Sequence, residues 1–303
     1  SLSTLLEGSP ELPPEQAVGQ QVNACEPMKS IPLIYGTQRV GINRVYMTTN
    51  GVNNKKLHII GIICEGLING IKTIDGVPQI FLDDRIYTDF GSDFTYEFFP
   101  GYPDDSNLCT TLKNATAGQY DAWDDPLHNT AYIYCCFNYN RDKFQGVPQI
   151  SVVVEGLKVY DPRTDVTSFS NNPALIAYDF ITRNRNRGGM GINSSRIVTS
   201  SVTDAATYCD NDGWTCDIVI SDNKSAIDIL QDILLTFRGD LIYSQCRFSI
   251  TYRDLFNEAP VMSLDDNDVV ETDDKSTLSI IQESIFDIPN AVKISYPNSE
   301  NKY

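Results

Sequence analysis

Two histidines are the first residues to consider for acid–base chemistry, because imidazole titrates near neutral pH. His58 lies within the apolar run Leu57–Cys64, which favours a core or cross-strand residue over a general base. His128 follows Asp124-Asp125-Pro126, a setting typical of a solvated loop. The sequence has no Gly-x-Ser-x-Gly elbow, no His-Glu-x-x-His motif and no phosphate-binding glycine loop. We therefore expect no enzymatic activity.

Pairs of adjacent aspartates are the other candidates for chemistry. The pairs are Asp83-Asp84, Asp104-Asp105, Asp124-Asp125, Asp265-Asp266 and Asp273-Asp274. A glycosidase needs two carboxylates that converge across a sugar, and turn-like surroundings favour turn and solubility roles instead. Residues 210–213 and 265–268 resemble fragments of calcium loops, but neither completes the twelve-residue loop with its terminal Glu. We expect no cofactor and no metal.

Eight cysteines are spread over the chain without a Cys-x-x-Cys pair, which argues against zinc and iron–sulfur sites. Their low density favours reduced, mostly buried thiols that act as small apolar side chains. Cys209 and Cys216 flank the turn 210–213, so a disulfide across a hairpin is the alternative for that pair.

Composition and charge exclude several function classes. The chain has 303 residues, 41% hydrophobic and 21% charged, which is a globular composition. Its net charge of −17 argues against a general electrostatic grip on DNA or on anionic lipid. The longest near-continuous apolar stretch is Leu57–Cys64, far shorter than the roughly 20 residues of a membrane-spanning helix.

The elements that must position these residues are mainly short strands. Strands are predicted at Val45–Thr49, Leu57–Cys64, Gly70–Ile74, Gln79–Leu82, Phe94–Phe99, Ala131–Phe137, Ile150–Glu155, Leu241–Ser244, Arg247–Tyr252, Leu278–Ile285 and Ala291–Tyr296. One helix is predicted from Pro173 to about Asn184, with Asn172 as its N-cap. A second is predicted from about Lys224 to Phe237, with an apolar stripe of Ile227, Leu230, Leu234 and Phe237. This order predicts an α+β fold with antiparallel β-barrel or sandwich domains and a helix-containing middle domain.

Four regions follow from this pattern. Residues 1–30 form a Pro-, Glu- and Gln-rich arm, which we expect to order only against neighbouring subunits. Residues 31–160 form a first β domain, with a polar, irregular loop insertion at about 104–129. Residues 161–255 form an α+β middle domain. Residues 256–303 form a returning β segment that we expect to continue beyond the end of the chain.

The strongest basic cluster is Arg183-Asn-Arg-Asn-Arg187, directly after the first predicted helix. We expect Arg183, Arg185 and Arg187 to project from the helix end and contact an acidic surface in a neighbouring subunit. One candidate for that surface is the run Asp265, Asp266 and Asp268, and another is an acidic loop of a partner ring protein. The alternative is that the arginines only cap the helix and lie in water, where each ion pair contributes about 0–1 kcal/mol.

An ordered series of segments resembles the tail-tip hub proteins of siphophages, the tip attachment (host specificity) family of lambda-like phages. The matching segments are Ile31-Pro-Leu-Ile-Tyr-Gly-Thr-Gln-Arg-Val-Gly41, Ile62-Ile-Cys-Glu-Gly-Leu-Ile-Asn-Gly-Ile71, Gln79-Ile-Phe-Leu-Asp-Asp84, Asn172-Pro-Ala-Leu-Ile-Ala-Tyr-Asp-Phe-Ile-Thr182 with Gly188-Gly-Met-Gly191, and Pro289-Asn-Ala-Val-Lys-Ile-Ser-Tyr296 with Asn301-Lys-Tyr303. They occur in the family's order over about residues 31–303. The Arg-rich segment 183–187 departs from the family pattern, and residues 104–129 have no counterpart in it.

This resemblance implies the fold of a phage baseplate hub and a structural role in the virion. It implies a homotrimer at the tail tip, assembled in the host cytoplasm, that closes or continues the tail tube and connects it to tip and receptor-binding parts. Its implied partners are the distal tail protein, other tail-tip proteins and the C-terminus of the tape measure protein. DNA would pass through during ejection without specific binding, past an acidic lumen that repels it.

Two other readings stay open at this stage. A phage module that binds or cleaves carbohydrate is the first, since the chain has 16 Tyr and 13 Phe as well as the acid pairs. An unrelated soluble β-rich domain is the second. Tyr is equally typical of β-sheet cores and subunit interfaces.

Overall fold

A computed structural model describes residues 30–144, 146–221 and 224–253, together with the backbone of residues 271–272 and 275–276. The first ten strands are β1 Leu33–Tyr35, β2 Thr37–Gly41, β3 Asn43–Asn50, β4 Lys56–Glu65, β5 Ile68–Ile71, β6 Thr73–Ile74, β7 Val77–Pro78, β8 Ile80–Leu82, β9 Arg85–Ile86 and β10 Phe94–Phe99. The later strands are β11 Thr130–Asn138, β12 Ile150–Asp161, β13 Val166–Phe169, β14 Ile218–Ile220, β15 Gly239–Ser244, β16 Arg247–Tyr252, β17 Glu271–Thr272 and β18 Lys275–Ser276. The α-helices are α1 Thr110–Thr116, α2 Pro173–Thr182, α3 Thr199–Asp212 and α4 Ala226–Leu235.

Two antiparallel sheets carry most of the fold. The first has the strand order β10-β11-β4-β3. The second is built on β12, a twelve-residue strand that pairs with β2, β5, β8 and β13, while β9 extends it through β8. Strand β1 pairs with β14 far along the chain, and β15 and β16 form a hairpin. The expectation of an α+β fold with antiparallel sheets is thus met in the described part of the chain.

The two central strands of the first sheet, β4 and β11, are buried on both faces, which explains their near-continuous apolar sequences. On β4, Ile59 and Ile63 face the main core, while Ile60 and Ile62 face a second, smaller cluster. Leu112 of α1 and Trp123 complete that second cluster. Trp123 is only 8% exposed. Residues 104–129 therefore form a cover over the outer face of this sheet.

The sequence predicts an irregular loop at 104–129, and this prediction is wrong because the segment contains helices. The segment contains a 3-10 helix at Asp105–Asn107 as well as α1. Asn107 is fully buried and ties the segment together, because its amide nitrogen donates to the carbonyls of Pro126, Leu127 and Thr130. The sequence pattern missed this because one buried asparagine, rather than an apolar stripe, organises the cover.

The helices α2 and α4 lie where the sequence predicts them, although both end two residues earlier. The side chain of Asn172 accepts hydrogen bonds from the amides of Ala174 and Leu175, as an N-cap does. The stripe predicted for α4 is partly wrong, since Ile227 is exposed and Ile229 and Ile233 are buried instead. The predicted strands Leu278–Ile285 and Ala291–Tyr296 lie outside the described residues.

The helix α3 contains Cys209, so the alternative of a hairpin that joins Cys209 and Cys216 is not met. Its buried stripe consists of Val202, Ala205, Ala206 and Cys209, and small side chains of this kind give a weak periodic signal. Gly213 ends the helix in a left-handed conformation. Both cysteines are buried free thiols, so the alternative of a disulfide between them is not met.

His58 is buried and neutral in the core, as the sequence predicts. It is 3% exposed, with Nδ1 2.7 Å from the Tyr134 hydroxyl and Nε2 2.8 Å from Asn50 Oδ1. The amide nitrogen of Asn50 donates to the carbonyl of Ala115, so its oxygen faces the ring and accepts from Nε2–H. The Tyr134 hydroxyl then donates to Nδ1. Burial, reinforced by Lys56, lowers the pKa of His58 below its ordinary value.

We expect acid to destabilise the fold through this residue. Because the folded-state pKa is lowered, the unfolded chain binds the proton more readily once the pH drops below about 6.5. The stability contribution of neutral His58 is therefore full above this pH and is lost as the pH falls toward the folded pKa. Urea denaturation at pH 7.5 and at pH 5.5 measures this loss, and His58→Gln should lose less stability than the native chain. Equal losses in the two proteins would contradict the assignment.

Candidate functional site

The arginine cluster begins at the C-terminal end of α2, and its first member points inward. The Nε atom of Arg183 lies 2.9 Å from Asp179 Oδ2, one helical turn earlier. The Tyr35 hydroxyl donates to the same oxygen at 2.5 Å. Tyr35 ends β1, so this buried triad joins the strand to the helix.

The expectation that Arg183 projects toward a neighbouring subunit is wrong. Its side chain is only 12% exposed and its charge is compensated by Asp179. Burial raises the pKa of Tyr35 well above its ordinary value, and the adjacent carboxylate raises it further while Arg183 opposes the shift. Tyr35 therefore stays protonated and serves as a hydrogen-bond donor. The Asp179–Arg183 spacing of four residues is the signal that could have revealed this pair.

Arg185 and Arg187 do project, from a short loop that is anchored to α2. The loop contains a 3-10 helix at Arg185–Arg187, and Gly188 follows it in a left-handed conformation. The amide of Gly191 donates to the carbonyl of Arg183, and the amide of Met190 donates to that of Phe180. These backbone hydrogen bonds fix the direction in which the two arginines leave the helix.

Arg187 reaches across to the end of β4. One of its terminal nitrogens donates to Asn129 Oδ1 at 3.0 Å, and its Nε lies 3.9 Å from Glu65 Oε1. Burial raises the pKa of Glu65, although Arg187 and Arg183 pull it in the opposite direction. The Arg187 side chain remains 44% exposed, so it can still pair with a second anion.

Arg185 is the most available cation of the cluster. Its Nε donates to the carbonyl of Met190 at 2.9 Å, which holds the side chain in place. Within the described part of the chain its two terminal nitrogens have no partner. A fixed guanidinium with free nitrogens is suited to bidentate contact with a carboxylate.

The two exposed arginines stand at the rim of an open cleft of about 520 Å³. The rest of the cleft is formed by Ser30 and Ile31 before β1, by Ile220 and Ser221 at the end of β14, and by the first turn of α4. Elements from both ends of the described chain therefore meet at the loop 185–189.

Gly36 forms a sharp corner that fixes β1 against β14. It has a φ of +68°, and a Cβ added there would lie 2.0 Å from Asp217 Oδ1 and 2.6 Å from the carbonyl of Cys216. The amide of Thr37 donates to Asp217 Oδ1 at 2.7 Å, and Gln38 donates to the Asp217 carbonyl. Burial raises the pKa of Asp217, whereas the Thr37 amide lowers it. The corner is therefore a tight contact between backbone and carboxylate.

Two sets of aspartates that the sequence analysis names remain to be placed. Asp265, Asp266 and Asp268 lie outside the described residues, so their contact with the arginines stays a prediction. Asp210 lies in the last turns of α3, where it accepts from Arg163 at 2.7 Å.

In the described part of the chain no group of three or more His, Cys, Asp or Glu side chains is placed to hold a metal ion. None of the helices described is both long and apolar enough to cross a bilayer.

Two comparisons with known proteins give a match. A family model described as "Putative phage tail protein" matches residues 225–303, from the start of α4 to the end of the sequence. One solved structure, "Virion of native gene transfer agent (GTA) particle", contains a similar chain at a TM-score of 0.48 and 13% identity. The match covers 80% of this chain and 57% of that one. A comparison with curated proteins gives no match. The family match supports a structural component of a phage tail.

Proposed function

We propose that this chain is the central hub of a phage tail tip, a homotrimer that closes or continues the tail tube and connects it to the tip and receptor-binding parts. The observation that carries the proposal is the match of residues 225–303 to a phage tail protein family. The hub-like segments between residues 31 and 191, which lie outside that match, also support it. The role is structural, without catalysis, and DNA passes through the hub during ejection.

The charge of the chain supports a conduit over a DNA-binding protein. Each copy carries −17, and three copies around a channel would repel a polyanion rather than hold it. Assembly contacts with the distal tail protein and the tape measure protein would then use local patches of opposite charge. The exposed pair Arg185 and Arg187 is one such patch.

Electron microscopy of particles that carry a labelled copy of this chain tests the proposal. A label on the chain should appear at the tip of the tail, on the three-fold axis, and particles that lack the chain should have incomplete tails. Purified chain should sediment as a trimer or bind tail-tip partners. A label along the tail shaft or on the capsid would contradict the hub assignment.

An enzymatic assay tests the non-catalytic part of the proposal. Purified chain should not hydrolyse peptidoglycan or capsular polysaccharide. Hydrolysis that is abolished by a single Asp or Glu substitution would favour the carbohydrate-cleaving alternative.

A further inference from the structure

The cleft beside Arg185 and Arg187 differs in charge from the rest of the protein. Among the residues that line it, three are cationic (Arg185, Arg187 and Lys224) and one is acidic, Glu65. Lys224 is paired with Asp232 at 2.6 Å and Arg187 lies 3.9 Å from Glu65, so within the described residues Arg185 provides most of the uncompensated positive charge. A positive cleft on a chain with a net charge of −17 is suited to an acidic ligand.

The floor of the cleft is apolar and therefore narrows the choice of ligand. It is lined by Ile31, Leu33, Phe180, Ile220 and Ile229. The first turn of α4 also lines the cleft. Ile31 and Ile220 are only partly buried there, so a ligand with an apolar side chain can cover them and a purely acidic loop cannot. A peptide that carries both glutamates and apolar side chains can pair with the two arginines and cover the apolar residues of the cleft at the same time.

The N-terminal arm has this composition. Residues 1–29 contain four glutamates and one lysine, a net charge of −3, and the segment Ser9-Pro-Glu-Leu-Pro-Pro-Glu-Gln16 alternates acidic, apolar and proline residues. The arm joins the described chain at Ser30, which itself lines the cleft. At about 3.3 Å per residue, the 13 residues that separate this segment from Ser30 span up to roughly 43 Å when extended, so the segment can bind away from its own chain.

We propose that the cleft binds residues 9–16 of the N-terminal arm of a neighbouring copy, with Glu11 and Glu15 at the two arginines and Leu12 on the apolar floor. This inference rests on the proposed homotrimer. The proposed homotrimer places a second copy beside the cleft, and the cross-linking experiment below distinguishes that copy's arm from the chain's own. The run Asp265–Asp268 fits less well, because Asp265-Asp-Asn-Asp268 has no apolar side chain between its acids.

Binding of a synthetic peptide to the full-length chain tests the chemistry of the cleft. A fluorescent peptide of residues 1–29 should bind saturably, with an affinity that falls as salt rises. The double variant Arg185→Ser/Arg187→Ser should weaken binding about tenfold, because each solvent-accessible ion pair contributes on the order of 0.7 kcal/mol. The matched control Arg141→Ser removes an exposed arginine outside the cleft and should leave binding unchanged. A peptide with Glu11→Gln and Glu15→Gln should also bind weakly. No saturable binding, or equal binding by the double variant, would overturn the proposal.

Cross-linking identifies which copy supplies the arm. Gln16→Cys and Asn186→Cys are introduced separately, in a background with Cys25→Ser and Cys246→Ser, and the two proteins are mixed, assembled and treated with a short bismaleimide. A double variant with both cysteines in one chain is treated in the same way as a control. A covalent dimer of the two single variants supports the neighbouring copy. A link that forms only within the double variant, or no link at all, overturns it. Peptide binding does not depend on tail assembly, so a cleft that binds the arm in a protein absent from the tail tip would refute the hub function alone.

Discussion

Replacing Arg183 by Ala should lower the free energy of unfolding by about 2–3 kcal/mol, because it leaves the Asp179 carboxylate, which is only 20% exposed, without its counter-ion. Tyr35 can still donate to Asp179, but one neutral hydrogen bond does not replace a guanidinium. The Arg183 side chain is 12% exposed, so solvent screens this loss only slightly. Urea denaturation followed by far-ultraviolet circular dichroism measures the change.

Two further variants separate the buried charge from other causes. Arg185→Ala removes an exposed arginine two residues away and should change stability by less than about 0.5 kcal/mol. The triple variant Tyr35→Phe/Asp179→Leu/Arg183→Met replaces the whole triad by apolar groups and should recover most of the lost stability. If Arg183→Ala behaves like Arg185→Ala, the inward orientation of Arg183 is wrong.

Replacing Gly36 by Ala should destabilise the protein by about 3–5 kcal/mol, since backbone strain and steric overlap act at the same position. The added Cβ would lie 2.0 Å from Asp217 Oδ1 and would force β1 away from β14. The φ of +68° is disfavoured for alanine even without that overlap. Differential scanning calorimetry of the purified variant measures the loss.

Gly118→Ala is the matched control for the steric part of this effect. Gly118 also has a positive φ, +84°, but a Cβ there would meet nothing within 4 Å. Its substitution should cost only the backbone strain, about 1 kcal/mol. Equal destabilisation by both variants would show that the contact with Asp217 contributes nothing.

The sequence predicts local features of the fold better than long-range ones. The position of α2 follows from Asn172 and Pro173, because capping is a local interaction. The helix α3 is missed because its buried face is made of alanine, valine and cysteine, whose hydrophobic contrast with their neighbours is small. The cover formed by residues 104–129 is missed because it is held by hydrogen bonds of a buried asparagine.

In the candidate site, too, the sequence predicts the local feature and misses the long-range ones. The arginine cluster is visible in the sequence because three cations in five residues are unusual in an acidic chain. The inward direction of Arg183 depends on Tyr35, which lies 144 positions away from Asp179 and is brought to it only by folding. The cleft itself depends on the pairing of β1 with β14, and no local pattern in either strand indicates its partner.

The pairing of β1 with β14 also determines when this protein can fold during its synthesis. Leu33 pairs with Ile220, so 187 residues separate the partners. At about 5–20 residues per second, a ribosome needs roughly 10–40 s to synthesise that interval. During this time Leu33, Ile34 and Tyr35, all buried in the finished protein, remain without their partner strand. Long-range β pairing of this kind slows folding, so nascent chains of this protein are expected to need protection from aggregation until α4 begins to emerge.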